Sequence, residues 1–174
     1  GLAAEEVDEL NEAFKKIDTR TPREKLNDLA ADAGRLGITG KQDILDFVDA
    51  ANQINLALGE DLGEDGVKNI GKLTQLFEDS KALGLKNGML ATASVINELA
   101  QSSSASEPYL LEFTARLASI GSTAKIAQSD LTSIAAVLDQ GMVGVEKGAT
   151  AMQNVLTAIY RRPAKMAKAA GLDV

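Results

Sequence analysis

The sequence predicts an all-α fold, a compact multi-helix bundle of about eight short helices. Three observations lead there. Apolar residues recur at i, i+3, i+4 and i+7 along most of the chain, and no segment alternates apolar and polar residues with the period of two that a half-buried strand requires. Glycines, prolines and capping residues interrupt those stripes every few turns, so the chain folds back on itself. Hydrophobic residues make up 45% of the 174 but aromatics only 3%, which leaves Leu, Ile, Val and Ala to build the interior through close contacts.

A first helix is expected over residues 2–17. There Glu5, Glu6, Asp8, Glu9 and Glu12 precede Lys15 and Lys16, an order that complements a helix dipole or, on the other reading, forms an acidic binding surface. Thr21-Pro22-Arg23-Glu24 has the form of a capping box with Pro at the first helical position. It opens a second helix with Leu26, Leu29, Ala30, Ala33 and Leu36 on one face, closed by Gly37. Thr39 is placed to cap a third, whose stripe is Ile44, Phe47, Val48, Ala51 and Leu58; a loop rich in Gly and acid is expected over 59–66. Val67, Ile70, Leu73 and Phe77 mark a fourth helix. Gly84 and Gly88 bound the connection to a fifth, with Val95, Ile96 and Leu99 inward. After a polar turn over 101–108, Leu110, Phe113, Leu117 and Ile120 form a sixth, closed by Gly121. A seventh carries Leu131, Ile134, Ala135 and Leu138. An eighth carries Met152, Val155, Leu156 and Ile159, and Pro163 ends or kinks it.

At this length one domain is expected, 1–174, with a leading helix over 1–20 and two halves, 21–84 and 85–174. The halves are weakly alike. Asp43-Ile44 with Phe47 and Val48 maps onto Asp130-Leu131 with Ile134 and Ala135. Gly66-Val67, Ile70, Leu73 and Phe77 map onto Gly148-Ala149, Met152, Val155 and Ile159. A duplicated helical hairpin accounts for this, and so does the chance likeness of helical stripes. The start at Gly1 and the stop just after Gly171 lead us to expect a segment of a longer chain.

The chain has no Cys and no His. The first removes disulfides and thiolate metal sites. The second removes the side chain most used for proton transfer near neutral pH and the commonest transition-metal ligand, which argues against an enzyme. A formal charge of −7 disfavours a nucleic-acid module, and no apolar run reaches membrane-spanning length. The densest basic run, Arg161, Arg162, Lys165 and Lys168, reads as a solvated or dipole-complementing helix end, with a binding patch as the alternative.

Three motif fragments are incomplete. Gly66 to Lys72 nearly matches a phosphate-binding loop, but Leu73 stands where a hydroxyl is needed, and Gly71 is better explained by close helix contact. Asp61, Asp65 and Gly66 fit three positions of a calcium loop, yet Gly63 and Lys72 occupy two ligand positions. Ser122-Thr123-Ala124-Lys125 has the S-x-x-K form and Ser129-Asp130 echoes a second element, but the companion strand is missing and the spacing is too short, so these hydroxyls are expected to cap a helix. Glu98, Glu107 and Glu112 show no pairing. No catalytic residue, cofactor or metal ligand is therefore expected.

The segments 29–38, 43–47, the Ser-Val-Ile-Asn-Glu-Leu-Ala stretch at 94–100 with the Ser/Ala turn after it, 109–121, 136–141 and Gly148-Ala149-Thr150-Ala151, taken in order, resemble the helical core region of phage tail tape measure proteins. The similarity runs from Thr21 to Asp173, and its signature positions are Ser94, Ile96, Asn97, Glu98, Leu99, Gly148 and Thr150. Gly141-Met142-Val143-Gly144 departs from the family's usual glycine-bearing turn. The resemblance implies a structural role in the virion tail, assembled in the host cytoplasm. Such proteins are long helical rulers within the growing tail tube that leave it during DNA delivery. It also implies partners among tail tube, tail initiator and assembly chaperone proteins, with self-association, and neither nucleic acid nor membrane for this segment. Because its stripes are broken, the segment is expected to be a compact docking module rather than the ruler. Asn97, Glu98 and Tyr160 read as solvent-facing, capping or helix-end positions, or else as partner contacts. The rival classes are a helical adaptor unrelated to phage and a carboxylate metalloenzyme.

Overall fold

A computed structural model describes the backbone of residues 4–171 except at 16, 18, 19 and 64, and not the side chains of 4–7 and 60. Among the described residues there are ten helices and no strand: α1 (Ala4–Phe14), α2 (Arg23–Arg35), α3 (Lys41–Leu62), α4 (Gly66–Leu76), α5 (Glu78–Ala82), α6 (Leu85–Ser102), α7 (Glu107–Thr123), α8 (Gln128–Gln140), α9 (Val145–Arg161) and α10 (Pro163–Ala169). The all-α expectation holds. Helices α5 and α10 are the additions. Phe77 takes an extended conformation (φ −89°, ψ 129°) that sends its ring into the core, and the chain restarts as α5. Pro163 ends α9 and, with its φ preset, opens α10.

Helices α3, α6 and α7 form the centre. Around them, α1 and α2 lie on α3, α4 lies across all three, α5 lies on α6, α8 lies on α7 and α6, and α9 lies on α7. The buried apolar residues make one continuous cluster. All four phenylalanines belong to it, with Phe47, Phe77 and Phe113 fully enclosed, so the few aromatics sit where several helices meet.

Several boundaries differ from expectation, each for a tertiary reason. Helix α1 ends at Phe14, before the lysines, and Lys15 pairs with Glu12; Leu2 and Lys16 lie outside the described residues. Thr21 does not cap α2, because its hydroxyl donates to Oδ1 of buried Asn52 on α3; Pro22 takes the N-cap place. Gly40, not Thr39, precedes α3. That helix runs through Gly59 to Leu62, since Ile54, Leu58 and Leu62 continue the buried stripe. The loop shrinks to 63–65, with Glu64 outside the described residues. The glycine that starts α6 is Gly84, at φ 79° and ψ 164°, a region essentially closed to residues with a Cβ.

Gly88 and Gly121 do not terminate helices; they lie inside α6 and α7, where neighbours come closest. A methyl added at Gly88 would stand 2.4 Å from the Ser80 carbonyl oxygen and 2.6 Å from Cγ2 of Thr74. At Gly121 it would stand 2.5 Å from Cδ1 of Leu131. Alanine is the better helix former by about 1 kcal/mol, but separating α5 from α6 costs more, so Gly88→Ala is expected to lose about 1–3 kcal/mol. Gly34→Ala in α2, with open space around it, is expected to gain about 0.5–1 kcal/mol. Urea unfolding of the two variants measures the contrast, and equal stabilities would refute the close approach.

Candidate functional site

The buried polar groups join helices distant in sequence. Gln128, 3% exposed at the start of α8, accepts hydrogen bonds at Oε1 from Oγ of Ser80 (2.6 Å) and Oγ1 of Thr92 (2.9 Å). Its backbone N–H donates to Oδ2 of Asp79 (3.1 Å). Helix α8 lacks a capping side chain of its own, so the α5 carboxylate serves one of its free amides and sits at the positive end of its dipole. Deeper in, Thr114 and Thr132 each donate to the carbonyl four residues back and lie 3.1 Å apart across the α7–α8 contact. Among the described residues every buried side-chain polar atom is satisfied. The hydroxyls and the amide of this network do not titrate near neutral pH, so it suits orienting helices and not moving protons.

A second set of contacts holds the α8–α9 turn against α7. The Tyr109 hydroxyl donates to the Val143 carbonyl (2.7 Å) and its ring stacks on Phe113, 6.2 Å between centroids. Burial, helped by the nearby Asp139 charge, pushes the phenol pKa up and keeps it a donor. Asp139 in turn accepts from the backbone N–H of Ser106, just ahead of α7 (2.9 Å). In this turn the left-handed residue is Met142 (φ 55°) rather than a glycine, and its side chain is 93% exposed.

The seven signature positions fall on two helices, α6 and α9, that both pack against α7. Ile96 is fully buried and Leu99 half-buried against the core. Ser94, Glu98 and Thr150 are exposed, while half-buried Asn97 accepts at Oδ1 from Gln101 (2.8 Å). Gly148 is buried and closely met: an added methyl would stand 3.2 Å from the Tyr109 hydroxyl and 3.3 Å from Cδ1 of Leu138, so those side chains would have to give by a few tenths of an ångström. The α9 stripe departs from expectation, since Leu156 is buried but Val155 and Ile159 are 45% and 46% exposed, with Tyr160 beside them at 59%.

The motif fragments resolve into packing. Gly66 and Gly71 lie within α4, and a methyl at Gly71 would meet Phe47 at 2.8 Å, so this glycine does permit close helix contact. Asp65 pairs with Lys68, whose hydrogen bond and charge hold its carboxyl below the ordinary range. Ser122 and Thr123 do not cap a helix. The Ser122 hydroxyl donates to the Leu76 carbonyl (2.8 Å), which fastens α7 to the end of α4, and the Thr123 hydroxyl donates back within α7 to the Ser119 carbonyl (2.8 Å). Among the described residues no three acids are grouped to hold a metal.

On the surface, Lys86 of α6 pairs with Asp49 of α3, which also accepts from Nε2 of Gln53 (3.0 Å). Burial opposes the Asp49 charge, but the Lys86 and Gln53 hydrogen bonds and the Lys86 charge outweigh it, and its pKa falls. The hydrogen bond to Asp49 raises that of Lys86. A lowered acid stabilises the fold above about pH 4, its unfolded range, and loses that contribution as pH falls through the lower folded value. The raised lysine contributes below about pH 10 and loses its share as pH rises through the folded value. With the side chains 38% and 29% exposed, screening limits the pair to under about 1 kcal/mol. Asp49→Asn is therefore expected to cost up to that amount at pH 7 and progressively less as pH falls through the lowered folded value, as read by urea midpoints. A cost that persists in acid would count against the pair.

Residues 4–174 match the family model described as phage-related minor tail protein. The chain belongs to that family. No curated protein and no solved structure matches it significantly. Membership in the phage-related minor tail proteins gives the chain a structural role in a phage tail and makes it a virion tail component. The match begins at Ala4, ahead of Thr21 where the resemblance set in, so it takes in the residues of α1 as well. Among the described residues no helix is long and apolar enough to cross a membrane.

Proposed function

We propose that this chain is a folded module of a phage tail tape measure protein, acting in tail assembly and length determination as an anchoring and docking unit rather than as the ruler. The family match over residues 4–174 carries the reading. The fold supports the division of labour: the longest helix, α3, has 22 residues and spans about 33 Å, against about 260 Å for the whole chain as one helix. The partners on this reading are the tail tube, the tail initiator or an assembly chaperone, met in the host cytoplasm as the tail is built. The test is electron microscopy of tails from the phage that encodes the chain. Deleting this module is expected to abolish tails or leave their length uncontrolled, and normal tails of normal length would sink the tape measure reading. Duplicating it in tandem is expected to leave tail length nearly unchanged. Lengthening by about 260 Å would make it part of the ruler instead.

A further inference from the structure

Helix α9 is fastened to the body mainly at its start. There the Tyr109 hydroxyl donates to the Val143 carbonyl (2.7 Å) and Arg116 of α7 pairs with Glu146 (3.3 Å). A methyl at Gly148 would meet Tyr109, Leu138 and Phe113 within 3.5 Å. Beyond Ala149 the attachment thins. Among the described residues from Thr150 on, Leu156 alone is buried, and no side chain makes a hydrogen bond or an ion pair. Helix α7, also 17 residues long, buries seven of them; α9 buries three, Gly148, Ala149 and Leu156. Even α1, with 11 residues, inserts two large side chains, Leu10 and Phe14, each 4% exposed. Pro163 has no N–H to return to the Ile159 carbonyl, so the helical ladder breaks at Arg162 (φ −141°, ψ 58°), and α10 packs on α9 with none of its residues buried. Intrinsic helicity does not make up the difference. Val155, Thr157 and Ile159 are β-branched, and a helix of about 12 residues is marginal in water unless a face of it is packed.

We propose that residues 150–169 form an arm that detaches from α7 and unwinds as one unit, while α1–α8 and the start of α9, through Ala149, stay folded. Opening gives up the burial of Leu156 and the half-burial of Met152, a small part of the apolar cluster that holds the bundle, so it lies far below global unfolding in free energy. Leu156 is the latch. The contacts of Tyr109, Arg116 and Gly148 fix where the opening stops, so the α8–α9 turn keeps its conformation, with Met142 still left-handed at φ 55°. In the open form Met152, Val155, Leu156, Ile159 and Tyr160 are freed together, ahead of the basic side chains at 161, 162, 165 and 168. An intact bundle then carries a movable apolar and basic arm. The distribution of buried groups along α9 supports this with or without the tape measure reading.

The test is residue-resolved amide hydrogen exchange of the whole chain by NMR, across a series of low urea concentrations. Amides of 154–169 are expected to be protected at least about 100-fold less than those of α7, and to depend less steeply on urea because the opening exposes less surface. Two substitutions separate local from global opening. Ile54→Val in α3, at a side chain 2% exposed, removes stability that the closed and open-arm forms share. It is expected to lower protection in α7 by about 2–10-fold and to leave that of the arm unchanged. Leu156→Ala weakens the closed form alone and is expected to lower protection in the arm at least about tenfold. Arm amides with the protection and urea dependence of α7 overturn the proposal. So does a fall in the arm on Ile54→Val equal to that in α7, which would tie the arm to global unfolding, or an opening that takes in α8 at the same free energy. Arm amides with no protection at all overturn it too, since an arm that never docks has no latch.

Discussion

Phe47→Ala is expected to destabilise the protein by about 3–5 kcal/mol, the largest loss for any single truncation considered. Phe47 is 0% exposed in the middle of α3, and its ring lies where α3 and α4 come closest, against Gly71 and beside Leu36. The cost has two parts, the transfer free energy of the lost ring and the cavity left behind, and the second depends on whether the walls can close. Here they cannot close easily. Gly71 already lets the two helices approach to contact, and α3 is held by α2, α6 and α7 at the same time. With about 5–15 kcal/mol of stability in a domain this size and about 2–4 °C of Tm per kcal/mol, the variant should melt roughly 6–20 °C lower. Val137→Ala, at a side chain 68% exposed, is expected to change stability by less than about 0.5 kcal/mol and serves as the control. A Phe47→Ala loss of under about 1 kcal/mol would show that the centre of the bundle is loosely packed.

Positions like Phe47 were legible because periodicity states which residues share a face. Ile44, Phe47, Val48, Ala51 and Leu58 are read as one stripe in the sequence and all five are buried. Periodicity does not state what covers that face. Val155 and Ile159 continue the α9 stripe as well as Leu156 does, yet only Leu156 reaches the body. Helix ends were misread where a residue's local preference met a distant partner. Thr21 has the chemistry of an N-cap, but Asn52, 31 residues on, accepts its hydrogen bond. Gly88 and Gly121 read as helix breakers because a lone glycine weakens a helix, while the gain from close approach of α5 and of Leu131 outweighs that weakness. Glutamine, serine and threonine carry no such periodic mark. Ser80 and Thr92 lie 48 and 36 residues from Gln128, so nothing local announces their meeting. The positions at 94–100 and 148–150 that carry the resemblance fall on two helices, α6 and α9, that both pack on α7, instead of gathering into a pocket.

Gln128→Leu tests that unannounced meeting and should produce the second largest effect, a loss of about 2–4 kcal/mol. The substitution keeps the volume of a buried side chain but removes the acceptor oxygen that Ser80 and Thr92 share, stranding two buried hydroxyls at about 1–3 kcal/mol each, less whatever relaxation recovers. Removing all three polar groups is a different experiment. In Ser80→Ala/Thr92→Val/Gln128→Leu no donor is left without an acceptor, and the triple variant should recover at least half of the loss, because an apolar cluster of similar shape replaces the polar one. The coupling between Gln128 and its two donors, from a double-mutant cycle of urea unfolding free energies, should then be about 1–3 kcal/mol. Backbone donation from Gln128 to Asp79 survives every one of these changes, so α8 keeps its starting point and the helical circular dichroism should not move. Additive losses would mean that the three side chains merely fill space, and that α5, α6 and α8 are oriented by aliphatic packing alone.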